Sequence, residues 1–322
     1  MEVEVLSNYR FVQMDVFTDS PFAGNPLAVF PEAAGITDEQ MMKIAREMNL
    51  SETVFVLKPN GDSADPTVLR ILRIFTPTRE IPFAGHPVVG TWNALARQGV
   101  VPVPDGGSGM QRIYHEVGIG VLPVDVEFRD GQPVQVVMTQ GKFQIIDELD
   151  EAPEQAELAR ALGLAREDLD ETLPIQSIST GLSCMVVPVR SLADLRDCKI
   201  NSSLLGEIYT RHGATGCLAF TRETIEVGPA RAHARFFAPA DNIPEDPATG
   251  SACGALGAYL VYHQALSLQP EEGRYKFVIE QGDFIHRPSR IRLDVKGQKG
   301  SIEEVKVGGA SVPVASGEVF VD

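Results

Sequence analysis

A histidine, an aspartate and a glutamate stand out by their settings: His86 in PFAGHPVVGT, Asp246 in IPEDPATGS and Glu52 in NLSETVFVL. Side chains of these types can take up, release or steer a proton. The first two settings are related. From Phe75 the chain reads FTPTREIPFAGHPVVGT, and from Phe237 it reads FAPADNIPEDPATGS. With a two-residue gap after Phe83, Pro77, Ile81, Pro82, Pro87 and Gly90 fall on Pro239, Ile243, Pro244, Pro247 and Gly250. His86 then stands opposite Asp246, 160 residues on in a chain of 322. Each is followed by proline, then by Gly plus a hydroxyl residue (Thr91, Ser251), then by a small-residue run, TWNALA or ACGALGAYL. Proline is pre-set for the first helical position, so the pattern predicts two helix starts with His86 and Asp246 at the caps. The N–H groups around Val89–Thr91 and Thr249–Ser251 become candidate donors, because helix starts attract carboxylates and phosphates. A plainer reading has Asp246 capping its helix and His86 filling a turn. Matched positions with different titratable groups favour chemistry where the two starts meet.

Glu52 lies at the head of the apolar run Thr53–Leu57, and only one half of the chain keeps an acid there. A carboxylate at the mouth of an apolar strand is open to desolvation, which raises its pKa toward neutrality. The alternative is an ordinary exposed strand-end glutamate. Cys253, in GSACGAL, sits near a helix start where thiols can be activated. A two-thiol racemase would need a matching cysteine in His86–Arg97, which has none, so a buried structural cysteine is expected. Other signatures fail. No phosphate-loop motif exists, Gly118-Ile119-Gly120 does not continue as a dinucleotide fingerprint, and His115-Glu116 is followed by Ile119 where a zincin needs histidine. His212, His233, His263 and His286 have no ligand spacing. No metal or cofactor is expected.

The elements that must position these residues follow from the rest of the chain. Apolar residues make up 43%, enough for real cores, and the length suggests one to two domains. The net charge of −16 speaks against a nucleic-acid or anionic-membrane partner. Ten acids against two arginines in Asp147–Glu171 supply half of that excess and read as a solvated helix and linker. The start, MEVEVLSNYR, has neither the basic nor the apolar part of a signal peptide, and no run reaches the ~18 apolar residues of a membrane helix. Four cysteines (Cys184, Cys198, Cys217, Cys253) without a C-x-x-C pair argue against zinc or a disulfide framework, and for the cytoplasm.

Alternation in Phe11–Phe17 predicts a strand, followed by the turn PFAGNP and a second strand, Leu27–Phe30. Thr37 and Gln40 form a capping box for a helix reaching Asn49. Strands are expected at Thr53–Leu57 and Val68–Phe75, with a helix after Pro87 ending near Gly99. A hairpin turning at Arg129-Asp130-Gly131 and a helix over Glu154–Leu162 follow. The first-half order then returns: STGLSCMVVPV resembles SPFAGNPLAVFP, a helix at Ser203–Arg211 matches the first, and GCLAF stands where ETVFV stood, at offsets of about 157 to 164 residues. A repeat this long means two lobes, not a solenoid. The expected fold is α+β, with each lobe a sheet curled around one buried helix. The N-terminal lobe spans 1–130, completed by the last strand at about 310–322, and the C-terminal lobe spans 131–309.

The segments MDVFTDSPFAGNPLAVF, NLSETVFV, IFTPTREIPFAGHPVVGTWNAL, EDPATGSACGALGAYL and IEQGDFIHRPSRIRL together resemble the PhzF (phenazine biosynthesis-like) family over essentially the whole chain. The resemblance implies a diaminopimelate-epimerase-like fold, commonly a homodimer. It implies cofactor-free isomerisation of trans-2,3-dihydro-3-hydroxyanthranilate, or an analogous small carboxylate, by a carboxylate-mediated proton shift. The family's glutamate falls on Glu52, its histidine on His86 and its aspartate on Asp246. The groups that hold the substrate carboxylate fall on Gly85, Gly250 and Ser251. Two other functions remain open at this point: a thiol-dependent amino-acid epimerase, and a non-catalytic binding or interaction protein that kept the fold.

Overall fold

The computed structural model describes residues 7–59 and 67–321, so the first six residues of the N-terminal stretch discussed above lie outside it. The chain divides into two compact units, residues 1–138 with 308–322, and residues 139–307. The division at 138 rather than 130 follows from a hairpin that keeps both of its strands in the first unit.

The first unit runs β1 (Ser7–Val16), β2 (Asn25–Phe30), α1 (Asp38–Met48), β3 (Glu52–Leu57), β4 (Val68–Phe75), β5 (Glu80–Ile81), α2 (Gly85–Arg97), β6 (Gly109–Val117), β7 (Gly120–Arg129) and β8 (Gln132–Thr139). The second runs β9 (Gln144–Glu148), α3 (Ala152–Leu162), β10 (Gln176–Ser179), β11 (Ser183–Pro188), α4 (Leu192–Asp197), α5 (Ser202–Arg211), β12 (Cys217–Thr221), β13 (Ala230–Ala238), β14 (Ile243–Asp246), α6 (Gly250–Tyr262), β15 (Arg274–Gln281), β16 (Ser289–Gln298) and β17 (Ser301–Gly309). The last strand, β18 (Ser311–Val321), pairs antiparallel with β1 from Ser7↔Val321 to Val16↔Ser311.

Local chemistry explains several boundaries. Thr37 caps α1 in a full capping box with Gln40, and Asn49 closes the helix in the left-handed region. Asp130 and Gly131 both take positive φ, the requirement of a tight hairpin turn between β7 and β8.

The two units repeat one topology. In the first, β1 pairs antiparallel with β2, β2 parallel with β3, β3 antiparallel with β4, β4 parallel with β6, and β6 antiparallel with β7. In the second, the same sequence of pairings joins β10, β11, β12, β13, β15 and β16. Each sheet wraps one helix. α2 packs on β1, β2, β3, β7 and β18, while α6 packs on β10, β11, β15 and β16. Eleven of the thirteen residues are buried in each. Small side chains permit this. A Cβ on Gly90 of α2 would lie 2.6 Å from Val16 Cγ2 and 2.7 Å from Leu27 Cδ2. The α+β architecture of paired, helix-centred sheets is the one the sequence predicts.

Candidate active site

Glu52 is the first residue of β3, three positions after the left-handed cap Asn49. The parallel register sets it beside Leu27 of β2, and the next four residues of the strand are buried. His86 is the second residue of α2. Its Nε2 lies 3.3 Å from Glu52 Oε2, with the two side chains 8% and 13% exposed. The atoms touch without hydrogen-bond alignment. Burial pushes the His86 pKa down to about 3. The helix start acts in the same direction, because its partial positive charge disfavours an imidazolium and favours a carboxylate. The contact is therefore between a neutral imidazole and a carboxyl group rather than a salt bridge. A neutral imidazole can serve either state of its neighbour: Nε2–H donates to a carboxylate, and bare Nε2 accepts from a carboxylic acid. Gly85 precedes His86 as the first residue of α2. Its N–H and that of His86 belong to the first turn, which has no intrahelical acceptors.

Asp246 ends β14, whose register sets it opposite Phe236. Arg235 holds this strand by a two-pronged ion pair with the neighbouring Glu245, at 2.9 and 2.7 Å. The Asp246 carboxylate accepts from the Thr249 hydroxyl at 2.5 Å. Fully buried Gln281, from the end of β15, fastens the next turn. Its Nε2 donates to the Asp246 carbonyl at 2.7 Å and to Thr249 Oγ1 at 3.1 Å. Its Oε1 accepts from Thr249 N at 3.1 Å and from the Cys253 thiol at 3.3 Å. Gly250 and Ser251 are the first two residues of α6. Cys253 is buried, and desolvation raises its pKa well above the ordinary thiol value, so it is held as a thiol.

Two expectations about the helix starts need correction. Neither His86 nor Asp246 is a cap: Ala84 and Thr249 occupy those positions, and neither makes a side-chain cap bond. Pro87 is the third residue of α2, while Pro247 stands before α6 altogether. Proline is tolerated at any of these places because first-turn N–H groups need no intrahelical acceptor, so it does not pin the start. The free donors of α2 accordingly precede Val89–Thr91. Each helix follows its short strand by three residues, 82–84 and 247–249, and each is thirteen residues long. That frame pairs Gly85 with Gly250 and His86 with Ser251, and leaves Asp246 matched to the strand end at Ile81.

Gln281 carries little mark of its role in the sequence. Its signal was a polar residue closing the apolar strand FVIEQ just before a glycine. Among the described residues, no three His, Cys, Asp or Glu side chains gather as a metal site, and no helix is long and apolar enough to cross a membrane.

Residues 14–317 match the profile of phenazine biosynthesis-like proteins. The chain belongs to the PhzF family. It is 36% identical to an uncharacterized isomerase of Clostridium acetobutylicum, over 99% of this chain and 100% of that one. It is 34% identical to the trans-2,3-dihydro-3-hydroxyanthranilate isomerase of Pseudomonas fluorescens, over 97% of this chain and 100% of that one. A Bacillus anthracis phenazine biosynthesis protein of the PhzF family superposes with a TM-score of 0.82 at 28% identity, covering 98% of this chain and 100% of that one. The relatives named for an activity are isomerases, and the PhzF fold has the α+β character described above.

Proposed function

We propose that this PhzF-family protein is a cofactor-independent isomerase that moves a proton within a small unsaturated carboxylate, of the kind represented by trans-2,3-dihydro-3-hydroxyanthranilate. The observation that carries this reading is the buried contact between Glu52 and a neutral His86 at the start of α2. Glu52 takes a proton from a carbon next to unsaturation, and the C–H electron pair enters the conjugated system. The resulting carboxylic acid returns the proton at another carbon of the same molecule. Bonds and electrons balance without an oxidant or a cofactor. His86 Nε2 supports Glu52 in both of its states. The family resemblance supports Gly85, Gly250 and Ser251 as the groups that meet the substrate carboxylate. Asp246 is assigned to the substrate's amine or hydroxyl. The four buried, unpaired cysteines and the acidic surface suit a cytoplasmic protein that acts on small molecules, and family resemblance supports a homodimer.

The test is solvent-deuterium uptake with trans-2,3-dihydro-3-hydroxyanthranilate and with a panel of cyclic and amino-acid carboxylates, in wild type and Glu52→Gln. A positioned acid–base group is typically worth ~10²–10⁴-fold in rate. Glu52→Gln should lose turnover on that scale and keep its ligand affinity. Undiminished turnover in Glu52→Gln removes the proposed proton carrier.

A further inference from the structure

The segment 17–24, which joins β1 to β2, is built with more constraint than a connecting turn needs. Two of its residues, Phe17 and Phe22, hold positive φ of 65° and 68°. Bulky aromatic residues rarely adopt that region, and such strain persists only where the surroundings enforce it. The enforcement is visible. Phe17 is buried and its N–H donates to the Ala310 carbonyl at 2.9 Å. Buried Asp15 accepts the Phe22 N–H at 2.7 Å. Thr18 Oγ1 accepts from Ser20 N at 3.1 Å. Gly24 closes the turn at φ 66°, where an added Cβ would lie 2.3 Å from the Val16 carbonyl oxygen. The outcome of this scaffolding is that the Phe22 residue stands 73% exposed. A rigid, strained turn that holds an aromatic ring in water has no stability rationale.

Its position supplies one. The turn leads into β2, where Leu27 lies beside Glu52 in the parallel register, only two residues after the strand begins. At about 3.3 Å per residue, the turn therefore opens at the same end of the sheet as Glu52. Val16 and Leu27, on either side of the turn, both pack at Gly90, one turn into the helix that carries His86. The repeated topology agrees. In the second unit, the matching turn before β11 carries Thr180, whose hydroxyl lies 3.5 Å from the Ser251 carbonyl in the first turn of α6, and it also shows an exposed apolar residue, Leu182.

We propose that Phe22 is a substrate-contacting, specificity-determining residue of the Glu52–His86 site, offering its ring to a planar or near-planar cyclic carboxylate and favouring it over acyclic ones. Aromatic rings prefer offset or edge-to-face partners, and water is displaced from both surfaces on contact. The inference rests on the isomerase reading for the place of the ligand, so its test uses binding as well as turnover.

Calorimetric titration with anthranilate, as a non-reacting ring carboxylate, and with glutamate, as an acyclic one, is run on wild type, Phe22→Gly and Phe22→Leu. Phe22→Gly should bind anthranilate roughly 10- to 100-fold more weakly, with Phe22→Leu between it and wild type. Glutamate affinity should not move. Phe22→Gly should melt no lower than wild type, because glycine takes φ near +68° freely. Unchanged anthranilate binding in Phe22→Gly, no anthranilate binding in wild type, or an equal loss for both ligands overturns the proposal. So does a change of mass in solution on Phe22→Gly, which would make the ring a contact between copies of the chain. The two readings fail separately. Deuterium uptake in wild type with unweakened Phe22→Gly binding removes Phe22 alone. Weakened binding without any uptake in wild type removes the isomerase and keeps the ring contact.

Discussion

Replacing Gln281 with leucine should loosen the start of α6 more than any single surface change could. The side chain is fully buried, and four hydrogen bonds converge on its amide. Leucine fills nearly the same volume, so no space opens for a replacement water. The Asp246 carbonyl and the Thr249 N–H lose their partners in a closed site. A buried polar group deprived of its partner costs ~1–3 kcal/mol, so the two set the loss at about 2–6 kcal/mol, with the weak thiol contact of Cys253 adding little. For a unit of this size, 1 kcal/mol corresponds to about 2–4 °C, so the melting temperature should fall by roughly 4–24 °C. Urea unfolding measures the energy, and hydrogen exchange at the Gly250 and Ser251 amides locates it. Faster exchange there with unchanged exchange in β1 and β18 is the expected pattern. A loss below about 1 kcal/mol, or uniform exchange across the chain, would refute the view that Gln281 fastens this turn.

The remaining predictions concern protons, packing and thiols. His86 and His115 are buried, and desolvation lowers their pKa values to about 3 and about 4, below the ordinary value of 6.5. The unfolded chain therefore binds more protons below pH 6.5, and stability should fall as the pH drops from about 6.5 toward 4, by about 1.4 kcal/mol per pH unit for each histidine. His115→Gln should remove about one proton's worth of that slope in urea midpoints taken from pH 7 to 4.5, and an unaltered slope would contradict it. Gly90→Ala should destabilise by about 1–2 kcal/mol despite alanine's better helix propensity, because its methyl would press on Val16 and Leu27; a more stable variant in thermal melts would mean the helix has room. Iodoacetamide should leave all four cysteines unmodified in the native protein, since each is buried, and mass spectrometry showing alkylated Cys253 with lost activity would revive a thiol mechanism.

Local physics made much of this legible in the sequence. The capping box at Thr37 and Gln40 fixes α1 because both halves of that interaction lie within four residues. Glu52 and His86 were readable as candidates because their settings are unusual, and the fold brings them together. The helix starts were less legible, since proline marks the first turn without choosing a place in it. Matching the two halves by residue type therefore pairs His86 with Asp246, where element lengths pair it with Ser251. Gln281 was illegible for a different reason: its bonds reach 28 to 35 residues back along the chain, and only tertiary packing reveals that its polar end is buried.

A duplicated frame with unequal fittings has a mechanistic consequence. Glu52 opens β3 in one unit, and the residue that opens β12 in the other is Cys217. That thiol is fully buried, and desolvation raises its pKa well above the ordinary value, so it cannot serve as a second base near neutral pH. At the helix starts, the matched residues are His86 and Ser251, and a serine hydroxyl is no general base by itself. Racemisation of an amino acid calls for a base on each face of the carbon, whereas this chain repeats its sheets and helices without repeating its acid. On the proposed reading, with Asp246 holding the substrate's amine or hydroxyl, Glu52 alone both removes the proton and returns it to the same face of the substrate. Substrate deuterated at the labile carbon should keep part of its label at the new position in single-turnover experiments in ordinary water. Complete washout at the earliest measurable time, with turnover intact, would mean that a second group or bulk solvent delivers the proton, and the one-carboxylate mechanism would fall.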